Sequence, residues 1–280
     1  MSRTTATLRQ GAGQGLIELR QSFTGSELIG NLFWPSVTLG AIFLLRHRHV
    51  DGTDLGLGAL ALPGVLGMFV ALGMLLTVQH LTADREDGTL LRAKAIPDGI
   101  RGYLIGKLVT VSATVLAYLA ILLIGGAFLI SSFNPGELRW LTLTWIVLLG
   151  LVATQSVGAI LGSLITSSRG AGMLALPILG LIAISGIFYP ITALPTWLQW
   201  LGQTFPIYWL GIGMRSALLP DAAAAVEIGG SWRHTETAAV LGAWAALGLA
   251  VAPLVLSRMT RRESGSRVAK RRERTLQRIG

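Results

Sequence analysis

WLTLTWIVLLGLVATQSVGAILGSLIT, residues 140–166, runs for 27 residues without one charged side chain. About 20 apolar residues suffice for a helix to cross the hydrocarbon of a bilayer. Five other charge-free stretches approach or exceed that length: Leu28–Leu45, Leu55–Gln79, Leu108–Ile130, Gly172–Tyr189 and Ala238–Leu256, of 18 to 25 residues. Hydrocarbon offers backbone N–H and C=O groups no partner, so each stretch is expected to be a helix. Composition agrees, with 52 % apolar and 13 % charged residues in 280, and a mean hydropathy of +0.62. A chain so poor in charge cannot clothe a water-facing surface, which argues against a soluble enzyme and a disordered chain. There is no cysteine. That removes disulfides, thiolate chemistry and Cys-ligated zinc.

The expected fold is therefore an all-α integral membrane protein of six transmembrane helices. Six crossings put the N-terminus, the second and fourth loops and the C-terminus on one side, which then holds eighteen Lys and Arg residues. The other side holds five, Arg46, Arg48, Arg139, Arg215 and Arg233. The positive-inside rule makes the richer side, with both termini, cytoplasmic. A seventh uncharged stretch, Pro190–Met214, contains Pro190, Pro195 and Pro206. Prolines break a regular span, so it reads as short re-entrant helices at the outer interface between spans five and six. Trp140, Trp197, Trp200, Trp209 and Trp232 fall at or near that interface, where amphipathic rings settle.

Three regions follow: a cytoplasmic leader, 1–27; the six-span domain, 28–256; and a basic cytoplasmic tail, 257–280. The leader has no apolar core of a cleavable signal. Its Leu16, Leu19 and Phe23 stand at helical spacing with Glu18 and Gln21 turned away, the pattern of an amphipathic helix lying on the inner membrane face. The tail suits anionic lipid. It has no stacking aromatic for nucleic acid.

Catalytic chemistry is scarce. No Asp, Glu, Lys or Arg lies inside the six stretches, where a proton-driven carrier would place one. The three lysines are Lys94, Lys107 and Lys270, and none completes a phosphate loop: Leu108 follows Gly106-Lys107, and Arg101 holds the first glycine position. Gly56-x-Gly58-x-x-Ala61 lies in an apolar span and reads as helix packing. His47-x-His49-x-Asp51 reads as a polar outer loop rather than a metal site. Asp221, Glu227 and Glu236 show no evident partner spacing.

The spans carry small residues instead. Gly150, Thr154, Gly158, Gly162 and Thr166 recur every fourth position, as do Ala59, Pro63, Gly67 and Ala71, laying stripes along helix faces. Close packing inside the bundle is the plainer reading, and a face sliding against a second copy the other. Pro63 should also kink its helix. Neutral polar residues dot the spans, namely Asn31, Thr38, Ser112, Thr114, Tyr118, Thr154, Gln155, Ser156 and Ser185. Of these Asn31, Thr38, Thr154, Gln155 and Ser185 are candidates to line a pathway; interhelical hydrogen bonding is the alternative. The second loop, Asp84-Arg85-Glu86-Asp87-Gly88-Thr89-Leu90-Leu91-Arg92, reads as a short helix over Asp84–Lys94, with acids at its start and charge projected toward a soluble partner.

Glu86-x-Gly88-Thr89-Leu90, then Pro97 and Tyr103-Leu-Ile-Gly106-Lys107, resembles the loop between spans two and three of ABC-2 type transporter permeases, a family that includes daunorubicin-type drug exporters. Ser185-Gly186-Ile-Phe-Tyr-Pro190, Leu194-Pro195-x-Trp197-Leu198, Pro206-Ile-Tyr208 and Arg215 resemble that family's signature from span five to span six. The resemblance covers roughly residues 14–257; Arg46-His-Arg48-His and the tail lie outside it.

It implies an exporter subunit in a bacterial cell membrane, moving an amphipathic solute such as a drug or antibiotic, a lipid or a glycoconjugate. Two permease copies would pair as a homodimer, with two copies of a separate ATPase that binds ATP and Mg, so this chain would hold no cofactor and not itself be an enzyme. Residues Asp84 to Arg92 would couple the ATPase to the bundle, and Pro190, Pro195, Trp197, Trp200 and Pro206 would mark the outer re-entrant region. The competing readings are a carrier or channel that works without an ATPase, and a lipid-directed membrane enzyme, for which no acid, base or metal cluster is visible.

Overall fold

The computed structural model describes residues 26–45, 57–96, 99–130, 138–165 and 167–262, with residues 13, 15, 24 and 136. The hydrophobic leader positions Leu16, Leu19 and Phe23, the metal-like trio at 47, 49 and 51, Thr166 and residues 263–280 of the tail lie outside these. Among the described residues there is no strand. The helices are α1 (Ser26–Leu45), α2 (Leu57–Glu86), α3 (Thr89–Lys94), α4 (Gly99–Leu129), α5 (Trp140–Leu164), α6 (Ser168–Ile184), α7 (Thr196–Thr204), α8 (Pro206–Leu218) and α9 (His234–Arg262).

Five of them, α1, α2, α4, α5 and α9, are long and apolar enough to cross a membrane. The charge-free stretches mark their apolar centres rather than their ends. α2 runs on past Gln79 to Glu86, α4 begins at Gly99 instead of Leu108, and α9 spans His234–Arg262. Charge forbids hydrocarbon and not helix, so these helices extend into the polar zone. The fifth stretch is shorter than expected. α6 stops at Ile184, 17 residues long, because the chain turns through Gly186 at φ 66°, a left-handed conformation that glycine alone adopts without strain. At about 1.5 Å per residue α6 measures roughly 25 Å, below the ~30 Å of hydrocarbon.

α2 and α5 form the centre and α1 the periphery. α5 packs along α2 on its small-residue stripe. A Cβ at Gly158 would meet the carbonyl of Met74, and one at Gly162 would lie 3.2 Å from Val78 Cα. On its other side Ser156 meets Gly248 of α9. The stripe is thus a helix-packing surface inside one chain. Pro63 is buried within α2, which continues through it.

The uncharged segment after α6 folds as expected from its prolines. Pro190 precedes a 3-10 turn (Ile191–Ala193), Pro195 precedes α7, and Pro206 is the first residue of α8, each where its missing N–H costs nothing. α8 turns back into the bundle and is buried from Pro206 to Ala217, with Ile146 against Gly213 and Ile187 against Gly211. At the opposite end, a second small core gathers Leu90 of α3, Tyr103 and Leu104 of α4, and Leu256 and Met259 of α9. Gly15 reaches the same end, where Thr110 Oγ1 donates to its carbonyl at 3.3 Å.

Candidate functional site

The loop Asp84–Arg92 divides into two parts with opposite facing. The short helix starts at Thr89, not Asp84; Asp84, Arg85 and Glu86 complete α2. Gly88 makes the turn at φ 83°, and Asp87 Oδ1 accepts from Thr89 N at 2.8 Å at the start of α3. α2 keeps its helical path here because Asp84 and Arg85 both find partners on other helices. Asp84 Oδ2 accepts from Tyr103 OH at 2.6 Å and pairs with Lys107 Nζ at 2.8 Å. Arg85 Nη1 donates to Ile165 O at 2.6 Å, placing a cation on the C-terminal end of α5. Leu90 is buried in the small core. Asp87, Arg92, Lys94 and Ile96 are exposed, and Glu86, Thr89 and Leu91 partly so. The Arg92 guanidinium donates to Thr89 Oγ1 at 2.9 Å, bracing the outward face.

Between α1, α2, α4 and α6 lies a cavity of about 400 Å³. Trp34, Thr38, Phe69, Leu72, Gln79, Tyr118 and Leu179 are among its lining, which has no charged side chain among the described residues. Phe69 and Tyr118 meet edge to face at 5.6 Å, and Tyr118 OH donates to Asn31 Oδ1 at 2.7 Å. Of the five candidate lining residues, Thr38 lines this cavity and Asn31 borders it through Tyr118. The other three do not. Thr154 Oγ1 donates to Gly150 O at 2.8 Å and approaches Val70 O at 3.1 Å, Gln155 Nε2 donates to Ser112 Oγ at 2.8 Å, and Ser185 Oγ donates to Ile182 O at 2.7 Å. All three are buried and hydrogen-bonded to neighbours, and among their polar atoms Gln155 Oε1 alone has no partner among the described residues. Most of the wall is aromatic and aliphatic, which a search for polar residues passes over.

A cysteine-free chain allows a direct check. Thr38→Cys should react with N-ethylmaleimide at least about tenfold faster than Ser185→Cys, since reaction needs an accessible thiol. Equal rates would remove Thr38 from the cavity wall.

The α7 end holds a second polar cluster. Arg215 of α8 is buried; its Nε donates to Glu227 Oε1 at 2.7 Å and its Nη1 to Gly186 O and Ile187 O, each at 3.0 Å. Arg233 stacks over Trp209 at 4.7 Å and donates to Gln203 Oε1 at 2.8 Å. Asp221 pairs with Arg139 at 2.7 Å, and Glu236 with Arg233 at 3.4 Å. The three acids without evident sequence partners therefore all have one. The partners of Asp221 and Glu227 lie at the start of α5 and on α8, where sequence spacing gives little guidance, whereas Glu236 and Arg233 are an ordinary i,i+3 pair at the start of α9. Trp140, Trp197 and Trp200 are exposed as an interfacial belt requires. Trp209 and Trp232 are instead buried, their indole N–H groups donating to Gln203 O and Asp221 Oδ1.

Membrane-length helices, together with α6, thus line a cavity whose described walls are uncharged, and α3 packs at the end of the bundle where Asp84, Tyr103 and Lys107 meet. No curated protein matches the chain. The family described as ABC-2 family transporter protein matches residues 49–256, which carry α2 to most of α9, the loop helix and the Arg215 cluster. Matched over well over half its length, this multi-pass membrane chain belongs to the ABC-2 family and is a permease of that type.

Proposed function

We propose that the permease exports an amphipathic solute, a drug or antibiotic, a lipid or a glycoconjugate, from a bacterial cell across its plasma membrane. It works as a homodimer, driven by ATP that two copies of a separate ATPase bind with Mg and hydrolyse. Six spans put both termini in the cytoplasm, with α3 facing the ATPase. The observation that carries this reading is the split of the Asp84–Arg92 loop: one part is fixed into three helices, while Asp87, Arg92 and Lys94 face outward. A lever needs both a fixed arm and an exposed face. The cavity supports the substrate class. Its ~400 Å³ suits a drug-sized molecule, and its aromatic, uncharged wall suits an apolar body with few polar groups.

The test is a mild-detergent purification of the tagged chain from its native membrane, with mass spectrometry of its companions. A Walker-A protein at equal stoichiometry is expected. Arg92→Glu/Lys94→Glu should lower its recovery about tenfold, as reversing two interface charges is worth about 1.4 kcal/mol or more. The chain recovered alone, also under ATP-trapping conditions, would overturn the reading in favour of a carrier or channel without an ATPase.

A further inference from the structure

We infer that the buried cluster of Asp84, Tyr103 and Lys107 is the joint through which α3 moves the cavity walls, an inference that rests on the ATPase-driven reading above. Asp84 sits in the last turn of α2, at the negative end of the helix dipole, where a carboxylate is locally disfavoured. Its side chain is 14 % exposed and that of Lys107 only 6 %. Burying such a pair costs desolvation that its attraction barely offsets, so an apolar pair would serve stability as well. What charge adds is direction. Tyr103 OH and Lys107 Nζ converge on one oxygen, Asp84 Oδ2, at 2.6 and 2.8 Å.

The two contacts join the helix before α3 to the helix after it. Leu90 fills the third side by packing with Tyr103 and Leu104. α2, α3 and α4 thus close into a triangle, and a push on α3 cannot shift one long helix without the other. Both long helices lead into the cavity. Gln79 stands five residues from Asp84 on α2, and Tyr118 eleven residues from Lys107 on α4, about 16 Å at helical rise. Asp84, Tyr103 and Lys107 are positioning residues: they touch no solute, and act by making two walls move as one.

The test uses the full chain with its ATPase in proteoliposomes, with Thr38→Cys as reporter in the cysteine-free background. N-ethylmaleimide labelling is compared with and without ATP plus vanadate. The parent should show about a fivefold change in labelling rate, the size of an ordinary coupling free energy. Lys107→Met should still bind the ATPase and hydrolyse ATP at the basal rate, yet change labelling less than about twofold, and Asp84→Asn should lose the labelling response to the same extent. Asp84→Lys/Lys107→Asp should recover the response; a purely structural pair would alter recovery of protein but not this ATP-dependent difference. Tyr103→Phe removes a single hydroxyl and remains informative should the charge variants fail to fold, with a response about half the parent's. Parent-like responses in the two single variants, or in Tyr103→Phe should those not fold, would overturn the joint. No ATP response in the parent, with no ATPase bound, would instead remove the driven-permease reading and the joint with it.

Discussion

Arg215→Met should leave little monodisperse protein in mild detergent, a loss equivalent to about 3–5 kcal/mol. Arg215 closes three contacts at once: Glu227 at 2.7 Å, and the carbonyls of Gly186 and Ile187 at 3.0 Å. Those carbonyls belong to the turn that ends α6, where no helical N–H remains to bond them. Methionine fills the volume but leaves Glu227, 4 % exposed, as a buried charge without its counter-ion. Glu227→Gln should do less harm, since an amide can still accept from Arg215 Nε. The decisive comparison is Arg215→Met/Glu227→Leu. It removes both charges, so by the buried-pair argument it should recover more folded protein than Arg215→Met alone. Heating each variant and measuring the fraction that stays monodisperse gives the order. A double variant worse than the single would mean that Arg215 matters through the carbonyls of Gly186 and Ile187 rather than through Glu227.

That cluster shows where sequence reading reaches its limit. Arg215 stands within the motif that marks the family, and its chemistry as a buried cation was hidden by the uncharged run preceding it. Glu227 is twelve residues away, beyond the end of α8 and the 3-10 turn Asp221–Val226, so the two share no helix or strand whose periodicity would pair them. The apolar helices were legible because hydrocarbon enforces one simple pattern, and the prolines at 190, 195 and 206 were legible because each forbids helix before it and permits helix after it. Helix ends were not legible, since charge stops the membrane and not the backbone. The loop helix was found, but its start lies five residues later: Asp84, an acid that would favour a helix start, is held at the end of α2 by Tyr103 and Lys107, and Arg85 by the carbonyl of Ile165, all distant in sequence. Neutral polar residues carried the least information. Thr38 and Thr154 look alike in sequence, yet one lines the cavity and the other binds α5 to α2.

The small-residue stripe of α5 yields the other large effect. Gly158→Leu should abolish recovery of folded chain, whereas Gly242→Leu should leave it unchanged. A Cβ at Gly158 would collide with the carbonyl oxygen of Met74 and lie 3.0 Å from both Met74 Cα and Thr77 Cβ. Backbone cannot rotate aside as a side chain can, so α5 and α2 must separate. They are the two central helices, and Thr154 Oγ1, one turn away, would lose its 3.1 Å approach to Val70 O. Overpacking by a few methylenes ordinarily costs about 1–3 kcal/mol, and prying apart the axis of the bundle should exceed that range. Gly242 lies on α9 with nothing within 4 Å of a Cβ, so leucine there meets open space. Gly158→Ala grades the effect: one methyl against a carbonyl should lower thermal stability measurably without preventing folding. Should Gly158→Leu fold and stay monodisperse like the parent, α5 and α2 cannot be in the contact described, and the stripe would have to serve the other role open to it, as a face against a second copy.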